Sequence, residues 1–297
     1  MISTIQPLEK DIGFIVRRLL PSRLLRCIGP FVFFDHMGPA TFEPETCAGD
    51  VRPHPHIGLA TVTYLFSGAM MHRDSLGIEK RIEPEAINLM TAGHGVTHSE
   101  RIPDDIRKSG SVLEGIQTWL ALPPDQVEHS PHFEHYPTEQ LPMVELVCAS
   151  VRVLIGHAFG VTSPVKTASP TLYVDLQLEA GARLTLARQT AVEHGLYLAQ
   201  GDVHIQMDES AEPLAIETHQ MVCLQRQGQP LSDDVIISST DGARLMWFGG
   251  DALPEQPRLN WNFVAYSQQR IEQARQDWAN DLFEPVPNEH ERIPLPD

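Results

Sequence analysis

The chain lacks a long apolar segment, and this absence argues against a helical membrane span. No uninterrupted apolar run in its 297 residues approaches the roughly 18 residues needed to cross a bilayer. The N-terminal segment from Met1 to Asp11 carries charges and lacks the apolar stretch of a secretory signal. We therefore expect a cytoplasmic protein without a membrane partner.

Cysteine is also scarce. The four cysteines, Cys27, Cys47, Cys148 and Cys223, show no CxxC spacing. Such sparse cysteines do not form a disulfide scaffold, so reduced thiols are expected. Cys47 precedes His54 by seven residues, and a redox role for it is the less favoured alternative.

Basic residues are few compared with acidic ones. The chain has 22 Lys and Arg against 39 Asp and Glu, which gives a formal net charge of −17. An acidic surface repels the phosphate backbone that dominates nucleic-acid affinity, so direct nucleic-acid binding is not expected. The local exception, Arg17, Arg18, Arg23 and Arg26, is interpreted as a solvated basic patch.

Short apolar runs separated by turn residues are abundant. The chain has 20 Gly and 24 Pro spread along its length. Runs of this kind, rich in Val, Ile, Phe and Tyr, predict strands and an all-β sandwich or barrel. The predicted strands include Phe31–Phe34, Ala60–Phe66, Ala86–Met90, Val144–Val147, Val151–Ile155, Leu172–Leu178 and Arg183–Leu186.

The length and the distribution of proline favour two domains. The segment Leu122–Pro142 contains five prolines and several charges, so we place the boundary there and predict domains 1–140 and 141–297. Near the end, Ser267 can cap a helix running to about Asn280, followed by an extended Pro-rich tail, Glu284–Asp297.

Two histidines stand two residues apart in the segment RPHPHIG, Arg52–Gly58. Alternate strand residues share a face about 6.5–7 Å apart, so His54 and His56 can converge on one ion at the roughly 2.0–2.2 Å that nitrogen ligands require. Pro53 and Pro55 lack amide donors, which predicts an edge strand or a bulge here.

A second pair follows in MTAGHGVTHSE, Met90–Glu100, where His98 and Glu100 are again two residues apart. Gly93 and Gly95 predict a tight turn before this strand. Together the pairs supply three imidazoles and a carboxylate, a set that suits Fe, Zn, Ni, Cu or Mn. A lone HxH often binds nothing, and it is the second pair that makes metal binding the favoured interpretation.

Two further histidines, His72 and His94, lie in the same region. They are either groups that support or line the site or ordinary surface histidines, and the sequence leaves both interpretations open.

The order of these residues resembles the two sequence motifs of the cupin superfamily, with Gly49, His54-x-His56, Gly68 and Gly93-x-Gly95-x-x-His98 in place. Within that superfamily, HPHIGLATVTYLFSG and MTAGHGVTHSE resemble the pirin family. The resemblance extends to NFVAYSQQRIEQARQDW and the closing IPLPD, and so covers nearly the whole chain.

The resemblance implies a bicupin, with two antiparallel jelly-roll β-barrels, a C-terminal helix and a metal in the N-terminal barrel. By motif, the ligands are His54, His56, His98 and Glu100. General cupins place a Glu three or four residues after the HxH pair, where this chain has Ala60 and Thr61. In pirins the carboxylate at Glu100 takes that role. His194, His204 and His219 are isolated, so no metal is expected in the second half.

Bacterial pirins are associated with quercetin 2,3-dioxygenase activity. The resemblance therefore implies an enzyme that opens a flavonol ring with O₂, with Glu100 as catalytic base and one divalent ion, first of all Fe(II), with Ni, Co, Cu, Mn or Zn as alternatives. No organic cofactor is expected. The partners would be a small aromatic substrate and O₂, and the expected state is a monomer. The apolar residues that could line the pocket are Val62, Tyr64, Phe66, Leu89 and Met90.

Two other functions stay open at this point. Some pirins are transcriptional co-regulators, which implies a metal-containing regulatory protein that binds protein partners. A cupin isomerase or hydrolase acting on sugars is less favoured, because the strands around the ligands look mostly apolar.

Overall fold

The computed structural model describes residues 3–207, 212–224 and 231–296. These residues form antiparallel strands and two α-helices. The strands of the first half are β1 (Ser3–Ile5), β2 (Leu8–Asp11), β3 (Ile15–Leu20), β4 (Phe31–Ala40), β5 (Val51–His56), β6 (Leu59–Ser67), β7 (Met70–Asp74), β8 (Glu79–Ile82), β9 (Ile87–Thr91), β10 (Val96–Arg101), β11 (Leu113–Ala121) and β12 (His132–Tyr136).

The strands of the second half are β13 (Met143–Glu145), β14 (Ala149–Ile155), β15 (His157–Ala158), β16 (Val161–Thr162), β17 (Thr171–Leu178), β18 (Arg183–Leu186), β19 (Glu193–Gly201), β20 (Val203–Gln206), β21 (Leu214–Ile216), β22 (Met221–Cys223), β23 (Val235–Ser238), β24 (Ala243–Gly250), β25 (Arg258–Asn260) and β26 (Phe263–Ala265). The helices are α1 (Asp104–Ser109) and α2 (Gln268–Ala279), and single 3₁₀ turns lie at Thr138–Gln140 and Arg188–Thr190.

The chain divides into two compact units, each built from three segments. The histidine unit comprises Glu9–Val16, Phe34–Thr138 and Pro254–Asp297, and it contains both predicted ligand pairs. The companion unit comprises Met1–Leu8, Arg17–Phe33 and Glu139–Leu253. The expected cut between residues 140 and 141 stays a prediction about domain boundaries.

The companion unit contains a seven-stranded sheet, β1-β22-β19-β24-β17-β14-β13, and a four-stranded sheet, β18-β23-β20-β21. Its apolar core takes side chains from both sheets, among them Val174, Leu245 and Trp247 from the larger one and Val203 and Ile237 from the smaller one. The unit is thus a sandwich of two sheets.

The histidine unit is organised in the same way. Its larger sheet has the order β12-β9-β6-β11-β4-β3-β2, and its smaller sheet has the order β5-β10-β7-β8. The boundary between the units falls within β2, β3 and β4. The all-β bicupin prediction is confirmed. The two predicted jelly rolls are sandwiches of two sheets, because each sheet ends in edge strands instead of closing on itself.

Most predicted strands lie where the apolar runs place them. The run Val144–Val147 is the exception, since its strand ends at Glu145 and Val147 is fully exposed. In β17 apolar and polar residues alternate, which predicts an apolar face with Leu172, Val174 and Leu176, and this face packs in the core. The opposite face is also largely buried, since Tyr173 contacts Phe31.

The C-terminal helix forms as predicted. The Ser267 side chain caps α2 by accepting the backbone N–H of Arg270 at 3.2 Å, and the buried face of the helix carries Ile271, Ala274 and Trp278. The described part of the tail beyond residue 284 has no helix or strand. Among the described residues, no helix has the length and apolar character that a membrane span requires.

Candidate metal centre

The smaller sheet of the histidine unit places the two ligand pairs side by side. Strands β5 and β10 run antiparallel, with His98 opposite His54 and Val96 opposite His56. β5 lies at the edge of this sheet, which confirms the expectation drawn from Pro53 and Pro55. The backbone N–H of Ile293, in the tail, donates to the Pro53 carbonyl at 2.8 Å, so the edge is partly covered.

The glycine turn before β10 is also present. Gly93 has a φ of +52°, and a Cβ at this position would overlap the carbonyl oxygen of His129. The backbone N–H of Gly95 donates to the Ala92 carbonyl at 2.9 Å and closes the turn. Only glycine satisfies both the backbone conformation and the close approach at residue 93.

Three imidazoles meet where β5 faces β10. His54, His56 and His98 each offer a nitrogen within 4.8 Å of the other two. Nε2 of His56 lies 3.1 Å from Nε2 of His98, and the ring centroids of His54 and His98 are 4.4 Å apart. The structure therefore brings together three of the four predicted ligands.

Hydrogen bonds define which nitrogen of His54 and His56 is available. Nδ1 of His54 lies 2.9 Å from the carbonyl oxygen of Arg52, and Nδ1 of His56 lies 3.1 Å from that of Asn262. A carbonyl oxygen only accepts, so Nδ1 carries the proton in both rings. The lone pair of each imidazole is then on Nε2.

Burial keeps these rings uncharged. Desolvation lowers the pKa of His54 to about 4, against a weaker opposing effect of its backbone hydrogen bond. Desolvation, with the neighbouring imidazoles, holds the pKa of His56 and of His98 well below the usual range. A metal ligand must be neutral imidazole, and these three are neutral at any physiological pH.

The donor set fits a divalent transition-metal ion. Two nitrogens bound to one ion at about 2.1 Å lie at most about 4.2 Å apart. The 3.1 Å between Nε2 of His56 and Nε2 of His98 is within that limit. Among the described residues, these two facing nitrogens have no carboxylate or carbonyl as a hydrogen-bond partner, which is the arrangement of a ligand set and not of a hydrogen-bonded core.

Glu100 lies two residues beyond His98 on β10, opposite His72 of β7. Its carboxyl is buried, and desolvation raises its pKa to about 7. It does not belong to the group whose donor atoms all lie within 4.8 Å of one another. A shift of register against β5 separates His98 from Glu100. Its roles as fourth ligand and as base stay predictions.

The other two histidines of the region differ from each other. His94 is exposed in the glycine turn. His72 is buried, with Nε2 2.9 Å from Oδ2 of Asp74 and Nδ1 3.3 Å from Nδ1 of His98. Of the two interpretations left open, support of the site fits His72 and the surface position fits His94.

Aromatic rings surround the imidazoles. The Trp119 ring is edge-on to His56 with centroids 5.1 Å apart, and Phe133 stacks on His72 at 4.6 Å. Of the apolar residues expected to line a pocket, Val62, Tyr64, Leu89 and Met90 are buried and Phe66 is half-buried.

Three residues of this environment are not among the sequence predictions: Asp74, Trp119 and Phe133. The spacing His72-x-Asp74 repeats the two-residue interval of the ligand pairs and could have drawn attention to Asp74. Nothing in the sequence points to Trp119 or Phe133, since each reaches the site through strand pairing.

The isolated histidines of the second half lie elsewhere. His194 is buried in the companion unit, where its Nδ1 accepts the Trp247 indole N–H at 3.1 Å and its ring stacks on that indole. Burial lowers its pKa. The contact with Trp247 explains why a histidine is buried at position 194. The absence of a metal in the companion unit stays a prediction.

Residues 13–120 match the family Pirin, and residues 173–284 match the Pirin C-terminal cupin domain. A pirin-like protein of Caulobacter vibrioides is 42% identical over 97% of this chain and 97% of its own length. Human pirin is 29% identical over 92% of this chain and 89% of its own length. The crystal structure of quercetin 2,3-dioxygenase from Acinetobacter baumannii superposes with a TM-score of 0.89, at 34% identity, covering 100% of this chain and 95% of that one.

The fold and the histidine site define a bicupin with a candidate metal centre. The chain belongs to the pirin family, as its motifs indicated.

Proposed function

We propose that this protein is a metal-dependent dioxygenase that cleaves a flavonol ring with O₂. The observation that carries the proposal is the convergence of three neutral imidazoles, His54, His56 and His98, on a sheet whose strand β10 also carries the buried carboxyl of Glu100. The similarity to the quercetin 2,3-dioxygenase of A. baumannii supports the choice of reaction class.

The ligands proposed are His54, His56, His98 and Glu100, and the proposed ion is Fe(II), with Ni, Co, Cu, Mn and Zn as alternatives that the donor set also accepts. When bound, such an ion supplies Lewis acidity toward an oxygen of the substrate. The overall reaction inserts both atoms of O₂ into the flavonol and releases one carbon as CO.

Glu100 is the proposed proton acceptor. A flavonol becomes reactive toward O₂ when its 3-hydroxyl is deprotonated, and this proton needs a base. Burial raises the pKa of the Glu100 carboxyl to about 7 in the metal-free protein, and a bound ion would favour the carboxylate form that can accept this proton. Trp119 and Phe133 are apolar rings packed against His56 and His72, and such surroundings suit a flat aromatic substrate.

The test is turnover of quercetin by protein stripped with a chelator and reloaded separately with Fe, Ni, Co, Cu, Mn or Zn. We expect loss of flavonol absorbance, with release of CO, only when O₂ is present. His98→Ala, treated in the same way, is the matched control and is expected to be inactive. The absence of O₂-dependent loss with every metal would refute the activity for this substrate.

A metal-containing regulatory protein is the second candidate. The 29% identity to human pirin over 92% of the chain keeps this function open, and the net charge of −17 favours protein partners over nucleic acid. The discriminating experiment compares proteins captured by the ferrous, ferric and metal-free forms. Identical partners for all three forms would contradict control by the metal.

A further inference from the structure

A chain of three buried side chains leads away from the candidate metal centre. Oδ2 of Asp74 lies 2.9 Å from Nε2 of His72, and Nδ1 of His72 lies 3.3 Å from Nδ1 of His98. Asp74 is 0% exposed and His72 is 3% exposed, so water does not compete for these contacts. The three residues belong to the paired strands β7 and β10, where Asp74 stands opposite His98.

Backbone N–H groups fix the direction of the hydrogen bonds between these three side chains. The other carboxylate oxygen, Oδ1 of Asp74, accepts the backbone N–H of Leu76 at 2.9 Å and that of Ile78 at 3.1 Å. Oδ2 is therefore the oxygen that faces His72, and as a carboxylate oxygen it accepts the Nε2–H of that ring. As a neutral imidazole, His72 then has its lone pair on Nδ1, directed at His98.

The same contacts determine which ring nitrogen of His98 carries the proton. Because Nδ1 of His72 accepts, Nδ1 of His98 must donate and carry the proton. The lone pair of His98 is left on Nε2, the atom that lies 3.1 Å from Nε2 of His56. Phe133, stacked on His72 at 4.6 Å, holds the intermediate ring in place.

We propose that Asp74 and His72 are positioning residues that set the tautomer of His98 and so keep its Nε2 available as a metal donor. This inference rests on the proposed metal centre. His54 and His56 achieve the same result with the backbone carbonyls of Arg52 and Asn262. His98 lies on β10, which has a paired strand on each side, so a side-chain acceptor takes the place of a carbonyl.

Asp74→Asn tests the inference because it should reverse the direction of the two hydrogen bonds that link residue 74 to His72 and His72 to His98. The new amide keeps a carbonyl oxygen for the N–H groups of Leu76 and Ile78, and so directs its NH₂ at Nε2 of His72. That ring must then carry its proton on Nδ1 and donate to Nδ1 of His98, which moves the proton of His98 to Nε2. We expect Zn(II), used as the probe metal, to bind about 10–100-fold more weakly, the usual effect of losing a partner behind a metal ligand.

The tautomer itself can be observed without any metal. Long-range ¹⁵N–¹H correlation spectra of the metal-free protein, with His98 assigned by its loss in His98→Ala, distinguish Nδ1–H from Nε2–H. We expect Nδ1–H in the wild type and Nε2–H in Asp74→Asn. A role limited to holding the turn after β7 would leave both the tautomer and the zinc affinity unchanged, because the amide oxygen still serves Leu76 and Ile78.

His72→Leu provides a second, independent variant. It removes the acceptor of His98 and should also weaken Zn(II) binding. In this background Asp74→Asn should have no further effect on zinc affinity, because the coupling passes through His72. The exposed Asp125→Asn is the matched control and should bind zinc like the wild type.

Each outcome has a defined meaning. An Asp74→Asn protein that binds Zn(II) with wild-type affinity and retains Nδ1–H on His98 overturns the inference alone. An undiminished effect of Asp74→Asn in the His72→Leu background also overturns it. A wild-type protein that binds no zinc overturns the proposed metal centre and this inference with it. If Asp74→Asn does not fold, wild-type zinc affinity in His72→Leu is the result that overturns the inference.

Discussion

Replacing Glu100 by Gln should stabilise the metal-free protein at pH 8 and leave it unchanged at pH 4.5. Burial raises the pKa of the carboxyl from 4.5 to about 7, with desolvation as the cause. The folded state therefore keeps this proton at pH values where the unfolded chain has released it. A neutral amide has no such proton to lose.

The magnitude follows from the two pKa values. A tenfold change in a protonation equilibrium corresponds to about 1.4 kcal/mol, so ionising Glu100 in the folded state costs about 3 kcal/mol relative to the unfolded chain. Because the pKa is higher in the folded state, the bound proton of Glu100 contributes to the stability of that state. This contribution is complete below pH 4.5, declines as the pH rises through 7, and is absent at pH 8. The variant should then be more stable by up to about 3 kcal/mol.

The assay is urea unfolding of chelator-treated wild type and Glu100→Gln at pH 4.5, 6, 7 and 8. The buried histidines lower stability in acid, but they do so equally in both proteins, and the difference between the two isolates Glu100. Glu43→Gln, at an exposed position of the same unit, controls for the loss of a charge. A difference of less than about 0.5 kcal/mol at every pH, the usual range for surface changes, would refute the reasoning.

Three further predictions concern the loaded protein. Zn(II) at 100 times its dissociation constant should raise the free energy of unfolding by about 2.7 kcal/mol, and His56→Ala should abolish this gain in the same urea titration. Glu100→Gln should retain most of its metal by elemental analysis and lose O₂-dependent quercetin turnover, and retained turnover would contradict the role of Glu100 as base. In Glu100→Gln only imidazoles exchange protons for zinc, and burial lowers the pKa of His54 to about 4, so zinc should remain bound to this variant at pH 5.5 in a dialysis experiment; release with a midpoint near 6.5 would contradict the burial argument.

The sequence predicts the ligand pairs because their geometry is local. A two-residue interval on a regular strand places both side chains on one face, as it does for His54 and His56, and Pro53 and Pro55 favour an edge or a bulge. The Ser267 cap of α2 is local in the same sense. For such features the residue pattern alone determines the structure.

Other features depend on contacts that the sequence does not record. The alternation in β17 predicts one apolar and one polar face, yet Asp175 on the polar face is 1% exposed because Arg244 of β24 pairs with it. Alternation reports polarity, and burial is decided by what packs on each face. In the same way, the acceptor of His56 is the carbonyl of Asn262, 206 residues away, which no spacing could indicate.

The site also shows why a spacing motif cannot separate ligands from the groups that support them. Three pairs with the same interval, His54-x-His56, His98-x-Glu100 and His72-x-Asp74, lie on the adjacent strands β5, β10 and β7. The order of strands makes the difference, since β10 lies between the other two and His98 therefore meets imidazoles on one side and the His72–Asp74 pair on the other. A pair becomes a ligand pair when it faces other lone pairs, and a supporting pair when a carboxylate fixed by backbone N–H groups stands behind it. The direction of the hydrogen bonds, and not the residue type, distinguishes the proposed ligand His98 from His72, its proposed support.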